Sequence, residues 1–432
     1  MTDDRFYIKS LSLKNFRRFE SLELGPFDPQ FNLIVGENGA GKSSVLVALA
    51  DAIAIHPVNR ATPRDGLVTE TDVRITTSLY NGNPIFHQNY PLNINAVILF
   101  GNHKTESKRV MKDEYIHNMI SDEDGIVRRK LKEDFTFGMA RPLFAYYDVA
   151  RFKNDLASRS KKRSSRLDMT NKLRRDWLTA GKNLNDNFDW MALETATLQQ
   201  RKDRGVSNKE SNFLSLTVDA LKKNISNVNE IYYDFILEDL IVKFPNGNLQ
   251  NFSLLSDGYK ILISIVVDLV RRACLLNPHL GDNAVKDTPG VVLIDELDLH
   301  LHPKWQRKIV ANLKAAFPKI QFFATTHSPQ IIGEVRPEEL IVLGEEGVER
   351  PDQSFGLESG QVLDWVMGAE SRDGDIAQRI ALMWSHIENN RFKEARSVID
   401  ELEQRTNGAI PETTEAKSVI KRYELRGGAA AE

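Results

Sequence analysis

Residues 31–44 read FNLIVGENGAGKSS, an apolar run followed by a glycine-rich loop and the start of a helix-forming segment. The spacing from Gly36 to Gly41 and Lys42 fits the P-loop pattern, in which glycines let backbone N–H groups approach phosphate oxygens. Lys42 is expected to bridge the β- and γ-phosphates, and the Ser43 hydroxyl to bind Mg2+. The predicted nucleotide-binding residues of the loop are Gly36, Glu37, Asn38, Gly39, Ala40, Gly41, Lys42, Ser43 and Ser44.

Composition sets broad limits on the chain. With 432 residues, 41% hydrophobic and 27% charged, it can form two or three structural units. A net charge of -3 gives no general attraction to nucleic acid. The single cysteine, Cys274, excludes a disulfide framework, and the longest apolar run is interrupted by Asp268. We therefore expect a cytoplasmic protein that does not enter a membrane.

The segments around the loop predict an α/β fold. Residues 7–13 and 19–24 alternate apolar and polar side chains, which predicts two half-exposed strands. Further strands are predicted at 71–79, 93–99 and 340–343. After the loop, a helix is expected to lay one apolar face on a sheet. The residues of that face are Val45, Leu46, Leu49, Ala50 and Ile53.

Residues 102–229 are rich in charge and short of strand signals, so we predict a mostly helical insertion there. Within it, a basic segment begins at Arg151 and ends at Arg175, and Asp155 and Asp168 are its only acidic residues. Such a segment fits binding to nucleic-acid phosphates, and it fits a solvated charged surface equally well.

Two acids follow a predicted buried strand at residues 291–294. Asp295 at this position can hold Mg2+, and Glu296 can polarise an attacking water. The next strand, 320–324, leads to His327, which is placed to hydrogen-bond a γ-phosphate. The predicted catalytic residues are Glu296 and His327, and the predicted metal ligands are Ser43 and Asp295.

Five motifs occur in a fixed order: NFRRF at 15–19, the P-loop, LSDG at 255–258, IDE at 294–296 followed by LHLHP at 299–303, and THSP at 326–329. Together they resemble the ABC-type ATPases of the RecF, SMC and OLD group. The resemblance implies an ABC-ATPase head with a mixed sheet, a helical insertion lobe and a helical C-terminal extension. The expected divisions are 1–101 and 230–345 for the head, 102–229 for the insertion and 346–432 for the extension.

The same resemblance implies how the nucleotide is used. ATP and Mg2+ are the expected cofactors, in a homodimer or higher oligomer whose two heads enclose two ATP molecules. Ser256, Asp257 and Gly258 form the signature, in which Ser256 and Gly258 contact the γ-phosphate bound to the second subunit. Asp257 stands where the family usually has glycine. A Mg2+-binding glutamine loop has two candidate positions, Gln88 and residues 146–148. His300 and His302 fit either a metal site or a loop that faces the dimer partner.

The C-terminal region, from 354–357 to 366–368 with helices from residue 375 onward, resembles compact bacterial defence ATPases, notably that of the Septu system, which works with a separate HNH nuclease. The resemblance implies an ATPase that regulates an effector nuclease in anti-phage defence. Trp384 and Phe392 would then dock the partner, or else cover the sheet. The alternative is a RecF-like ATP-dependent DNA-binding repair protein without a nuclease partner.

Overall fold

The computed structural model describes residues 5–55, 67–80, 83–101, 103–112, 115–122, 140–149, 169–170, 172–173, 176–180, 184–204, 213–225, 228–344, 347–369 and 374–429. Two compact units are present, Met1–Val362 and Leu363–Glu432. Most of the basic segment predicted between Arg151 and Arg175 lies outside the described residues.

The strands of the first unit are β1 Phe6–Phe16, β2 Phe19–Leu24, β3 Phe31–Gly36, β4 Ile75–Tyr80, β5 Asn83–Gln88, β6 Leu92–Phe100, β7 His103–Lys112, β8 Tyr115–Asp122, β9 Leu143–Tyr147, β10 Glu230–Asp234, β11 Asp239–Lys243, β12 Leu249–Asn251, β13 Gly290–Ile294, β14 Ile320–Thr325, β15 Leu340–Leu343 and β16 Val348–Glu349.

The helices of both units are α1 Lys42–Ala54, α2 Leu184–Asp203, α3 Phe213–Asn224, α4 Asp257–Leu276, α5 Ala284–Asp287, α6 Pro303–Ala316, α7 Pro329–Ile332, α8 Ser359–Trp365, α9 Gly374–Glu388, α10 Phe392–Arg405 and α11 Pro411–Ala429. None of the described helices combines the length and the apolar character that a membrane crossing requires.

The central sheet has the strand order β16-β15-β3-β14-β13-β9, and its neighbours are parallel except for the β15–β16 pair. Every residue of β13 and β14 is buried, as expected for parallel strands covered on both faces. Because parallel strands end at the same edge, the P-loop after β3 lies beside Asp295 after β13 and His327 after β14. The fold thus brings the predicted motifs together at one edge.

A second, antiparallel sheet covers the other side of α1, with the order β2-β1-β6-β7-β8. The five residues of the predicted apolar face of α1 are all buried. The expectation that only one face is covered was wrong, because the helix is buried almost all round from Val45 to Ala54. Its alanines allow both sheets to approach closely. The buried Gln321 of β14 ties the two sheets, since its Oε1 accepts from the Ile8 N–H at 2.8 Å and its Nε2 donates to the Ile8 carbonyl at 3.0 Å.

The prediction that residues 102–229 are mostly helical was wrong for their first part, where β7, β8 and β9 are strands. In β7 the buried positions include Thr105, Ser107 and Arg109, so the inward face is partly polar. Because several buried positions of β7 are polar, hydrophobicity does not alternate along the strand, and the sequence shows no period-two signal. Helices do follow at α2 and α3.

Beyond these helices, a three-stranded antiparallel sheet of β10, β11 and β12 leads into α4. The β11–β12 connection is a hairpin with the Asn-Gly pair typical of such turns, Asn246 and Gly247, and Gly247 has a positive φ of 84°. The division predicted between residues 229 and 230 stays a prediction.

The second unit contains α9, α10 and α11, in agreement with the helices predicted from residue 375 onward. Their shared core includes Met383, Ile399 and Ile420. Trp384 and Phe392 are half-buried against this core, which differs from the expectation that they form an exposed docking surface. Amphipathic helices in a small bundle use such residues to cover their own core.

A buried ion pair fixes α1 to the antiparallel sheet. The guanidinium of Arg109 on β7 lies 2.6 Å from the carboxylate of Asp51 on α1, and both side chains are fully buried. Burial raises the pKa of Asp51, an effect that Arg109 and the Leu67 and Val68 N–H groups oppose. The carboxylate accepts from these two amides at 2.9 and 3.3 Å.

We predict that Arg109→Met lowers the free energy of unfolding by about 3–5 kcal/mol, because it leaves the buried Asp51 carboxylate without its cation. The measurement is urea denaturation followed by circular dichroism. Lys104→Met is the matched control, since it removes an exposed ion pair with Glu106 on the same strand and should cost at most about 1 kcal/mol. Similar small losses for both variants would contradict the prediction.

Candidate nucleotide-binding and catalytic site

The P-loop turns from β3 into α1 through glycines with positive φ. Gly41, the N-cap of α1, has φ 98°, and a side chain there would come within 2.4 Å of the Phe19 ring. Glycine is therefore required both by conformation and by the packing of the β1–β2 turn on the loop. The N–H groups of the first turn of α1 face the loop without side-chain caps, which suits an anion.

Lys42 is the cation of this loop. Its ammonium group donates to the carbonyls of Gly36 and Glu37 at 2.9 and 3.0 Å. Burial lowers the pKa of Lys42, and the carboxylates of Asp295 and Glu296 oppose that shift. The parallel register of β3, β14 and β13 places this lysine at the same sheet edge as the predicted acids. Ser43 beside it is exposed, so its hydroxyl is accessible to an ion.

Thr325, the last residue of β14, connects the two acids. Its hydroxyl donates to Asp295 Oδ1 at 2.5 Å and accepts from the Glu296 N–H at 2.8 Å. Glu296 has a positive φ of 50°, which takes the chain out of β13 as soon as the strand ends. Asp295 is buried and Glu296 is half-exposed, consistent with a metal-binding role for the first and contact with water for the second. Sequence reasoning did not identify Thr325.

Asp298 links the loop after β13 to the loop after β14. Its Oδ1 accepts from the Thr326 hydroxyl at 2.5 Å and from the His327 N–H at 3.3 Å. His327 is half-exposed at the same sheet edge as Glu296. Its role as a γ-phosphate sensor stays a prediction.

Two arginines of the β1–β2 turn also contact the P-loop region, and sequence reasoning gave them no role. Arg17 donates to Ser44 Oγ at 3.2 Å and to Asp72 Oδ1 at 2.8 Å. Arg18 donates to the Gly39 carbonyl. A guanidinium beside a phosphate-binding loop is well suited to bind phosphate oxygens. The available signal was the pair of adjacent arginines in a turn before the P-loop strand.

Of the two candidate positions for the Mg2+-binding loop, residues 146–148 lie at the catalytic edge. The Asp295 N–H donates to the Tyr147 carbonyl at 2.8 Å. Burial raises the pKa of Tyr146, with further contributions from the carboxylates of Asp295 and Asp148. Gln88 lies on the exposed strand β5.

The signature residues begin α4. Ser256 is its N-cap and makes no capping hydrogen bond with its side chain, which differs from the capping expected of a serine at this position. Ser256 and Asp257 are exposed, whereas Gly258 is buried. A side chain at Gly258 would lie 2.7 Å from the His300 carbonyl, so the signature turn packs directly on the loop that follows Glu296.

The signature helix is also joined to β9 by a buried polar network. The Tyr147 hydroxyl donates to Asp268 Oδ2 at 2.7 Å, and Arg272 Nε donates to the same oxygen at 2.7 Å. Although burial alone would raise the pKa of Asp268, Arg272 and Arg271 lower it to about 2. The carboxylate is therefore ionised at neutral pH and holds α4 against the strand beside Asp295.

The metal-site alternative for the two histidines gains no support from the described residues. His302 Nδ1 accepts from the Lys304 N–H at 3.2 Å and caps α6. Among the residues that the structure describes, no group of three or more His, Cys, Asp or Glu side chains could hold a metal ion.

A protein-family profile described as "AAA domain, putative AbiEii toxin, Type IV TA system" matches residues 31–333. The chain belongs to this family. A second profile, "AAA ATPase domain", matches residues 7–51. The protein is thus an ATPase that binds nucleotide, and its motifs resemble those of the ABC-type ATPases of the RecF and SMC group.

Two relatives illustrate the range of similarity to this ATPase. The Retron Vc95 probable ATPase of Vibrio cholerae is 26% identical over 388 residues, which cover 78% of this chain and 73% of the relative. The Septu protein PtuA of Bacillus thuringiensis is 37% identical over 141 residues, which cover 31% and 35%. Among solved structures, an SMC head bound to the C-winged helix domain of ScpA aligns over 81% of this chain and 98% of its own, at 15% identity and a TM-score of 0.48.

We predict that Thr325→Val reduces ATP turnover by about 10- to 100-fold, because the change removes the hydroxyl that orients Asp295 and Glu296 while keeping the side-chain volume. Steady-state phosphate release measures the effect. Thr217→Val is the control: Thr217 is also buried, and its hydroxyl donates only within α3, to the Phe213 carbonyl at 2.9 Å. Unchanged turnover in Thr325→Val would remove this threonine from the catalytic arrangement.

Proposed function

We propose that this ATPase binds ATP with Mg2+ between two copies of the chain, and that closure and reopening of the dimer regulate a separate effector nuclease in anti-phage defence. The observation that carries the proposal is that β3, β14 and β13 are parallel neighbours, so that Lys42, Asp295 and Glu296 follow strands ending at one sheet edge. In this arrangement Lys42 and the P-loop N–H groups bind the phosphates, and Ser43 and Asp295 hold Mg2+.

Hydrolysis in this proposal depends on Glu296. The carboxylate takes a proton from the attacking water. The Thr325 hydroxyl holds Glu296 in place by accepting from its backbone N–H. His327 follows the neighbouring strand and would hydrogen-bond the γ-phosphate. Mg2+ supplies charge stabilisation at the phosphates when bound.

Dimerisation is supported by the exposure of the signature turn. Ser256 and Asp257 face solvent at the N-terminus of the 20-residue helix α4, whose dipole favours an anion there. Contact with the γ-phosphate on a second copy would complete each site. The same contact would make dimer closure depend on ATP.

The effector role rests on similarity. The Septu protein PtuA and the retron ATPase share sequence with this chain, and the Septu-like C-terminal region suggests an HNH-type nuclease as the partner. The second unit, Leu363–Glu432, is a compact helical body separate from the ATPase core and a candidate for the partner-binding region.

Glu296→Gln is expected to lower ATP turnover by about 10²- to 10⁴-fold while ATP still binds, because the amide cannot accept the proton of the attacking water. The ATP-bound dimer should then accumulate, and light scattering with and without ATP measures this. Glu338→Gln, which changes an exposed side chain of the same type, is the control. Wild-type turnover in Glu296→Gln would exclude Glu296 as the base.

Recovery of tagged Glu296→Gln protein from its native host, with ATP present, tests the biological role. We expect a stoichiometric HNH-type nuclease to be recovered with it. Recovery of duplex DNA without a protein partner would instead support the RecF-like alternative. In that case DNA affinity should fall steeply with salt, with a slope of nearly one per phosphate contact.

A further inference from the structure

An exposed apolar surface lies beside the signature turn. It consists of Phe235, Ile236 and Leu237 at the tip between β10 and β11, together with Leu254, and we call it the signature-side patch. Ile236 is 92% exposed and Leu254 is 81% exposed. Large apolar side chains that cluster on a surface commonly mark an interaction site.

The signature-side patch is held in a defined position. Asp234 Oδ1 accepts from the N–H groups of Ile236 and Leu237 at 2.8 and 2.9 Å, which fixes the turn. Asp239 Oδ2 accepts from the Ser253 hydroxyl at 2.7 Å. That hydrogen bond joins the tip to the segment that enters the signature.

A second exposed apolar surface lies on the β4–β5 hairpin. Its side chains Ile75, Leu79, Pro84 and Phe86 share one face, because Leu79 pairs with Pro84 and Thr77 with Phe86. Leu79 is 76% exposed and Phe86 is 68% exposed. We call this surface the hairpin patch.

The hairpin lacks the charges that normally protect exposed strands. Residues 75–88 contain no Asp, Glu, Lys or Arg, in a chain that is 27% charged. Exposed edge strands usually carry such charges to prevent association, and an isolated two-stranded hairpin is marginally stable in water. Both properties indicate a surface that is covered in the working protein.

The base of the hairpin lies near the P-loop. The Arg74 N–H donates to the Asn15 carbonyl at 2.9 Å, and the Asn89 N–H donates to the Arg74 carbonyl at 2.8 Å. Asn15 lies at the end of β1, and the turn that follows it supplies Arg17, which contacts Ser44. Each chain therefore carries one apolar surface on a hairpin whose base lies near the P-loop, and another close to its signature.

We propose that the hairpin patch of one copy packs on the signature-side patch of a second copy in the ATP-bound dimer; this inference rests on the dimer proposed above. When each signature turn faces the partner's P-loop, the two patches are brought together, and a two-fold axis forms the contact twice. A stable interface buries about 800 Å² per partner around an apolar core. The P-loop and signature turns are largely polar, so the patches supply that core.

Cysteine cross-linking tests this contact because the native Cys274 is buried and will not react. Phe86→Cys and Ile236→Cys are made separately in the Glu296→Gln chain, mixed, and treated with a short bis-maleimide. We expect the two variants to cross-link to each other when they are mixed and ATP is present. Met119→Cys is the matched control. Met119 is 50% exposed and lies on β8, three strands from β1. The Met119→Cys variant should therefore not cross-link to Ile236→Cys.

The outcomes separate this inference from the proposed dimer. If light scattering detects an ATP-dependent dimer but no cross-link forms, the patch contact is overturned and the proposal of an ATP-enclosing dimer still stands. Absence of any ATP-dependent dimer would overturn both. In host extract, cross-linking of Ile236→Cys to a different protein in place of a second copy would also overturn the contact.

A substitution provides an independent measurement. Phe86→Ser should weaken ATP-dependent dimerisation by about tenfold or more, the effect of removing one well-buried aromatic side chain from an interface. Met119→Ser should leave dimerisation unchanged. Circular dichroism and binding of ATP to the monomer should match the parent in both variants, so that a change in dimerisation reports on the interface. Equal dimerisation of Phe86→Ser and the parent would contradict the proposal.

Discussion

The burial of α1 on nearly all sides from Val45 to Ala54 is the constraint on which the rest of the ATPase unit depends. The helix lies between a parallel and an antiparallel sheet, and alanines leave room for both. Burial on all sides holds the helix, and with it the P-loop at its N-terminus, in one orientation. The Asp51–Arg109 pair and the Gln321–Ile8 hydrogen bonds connect the layers where apolar packing alone would not select a unique register. A phosphate-binding loop mounted this way needs little reorganisation when nucleotide binds.

The catalytic edge follows from the same parallel sheet. β3, β13 and β14 end side by side, so residues more than 250 positions apart along the chain meet at the nucleotide. Thr325 and Asp298 then join neighbouring loops through short hydrogen bonds. The buried Tyr147–Asp268–Arg272 network extends this connection to the signature helix. Hydrogen bonds thus connect the catalytic edge to α4, the helix whose N-terminal signature is proposed to meet a second copy.

Much of this arrangement could be predicted from sequence because each motif is local. A glycine-rich loop, two acids after an apolar strand and an Asn-Gly turn are encoded within a few residues, and the structure has the strands and helices that these signals require. The contacts of Thr325 with Asp295 and Glu296 had no local signal. Strand β7 escaped prediction because threonine, serine and arginine occupy its inward face. Ser256 is at the N-cap position of α4, but its local sequence does not indicate that its side chain makes no capping hydrogen bond.

The position of β9 has an evolutionary consequence. β9 and β13 are adjacent in the sheet, yet residues 148–289 separate them in sequence. The chain can leave the sheet there and return to the neighbouring strand without altering the strand order. This excursion includes the signature and α4, so only a change of length ahead of β10 would leave the hydrolytic centre intact, since insertions are best tolerated where they do not disturb buried backbone. Relatives with the same ATPase core can therefore differ in chain length between β9 and β10 without a change of strand order.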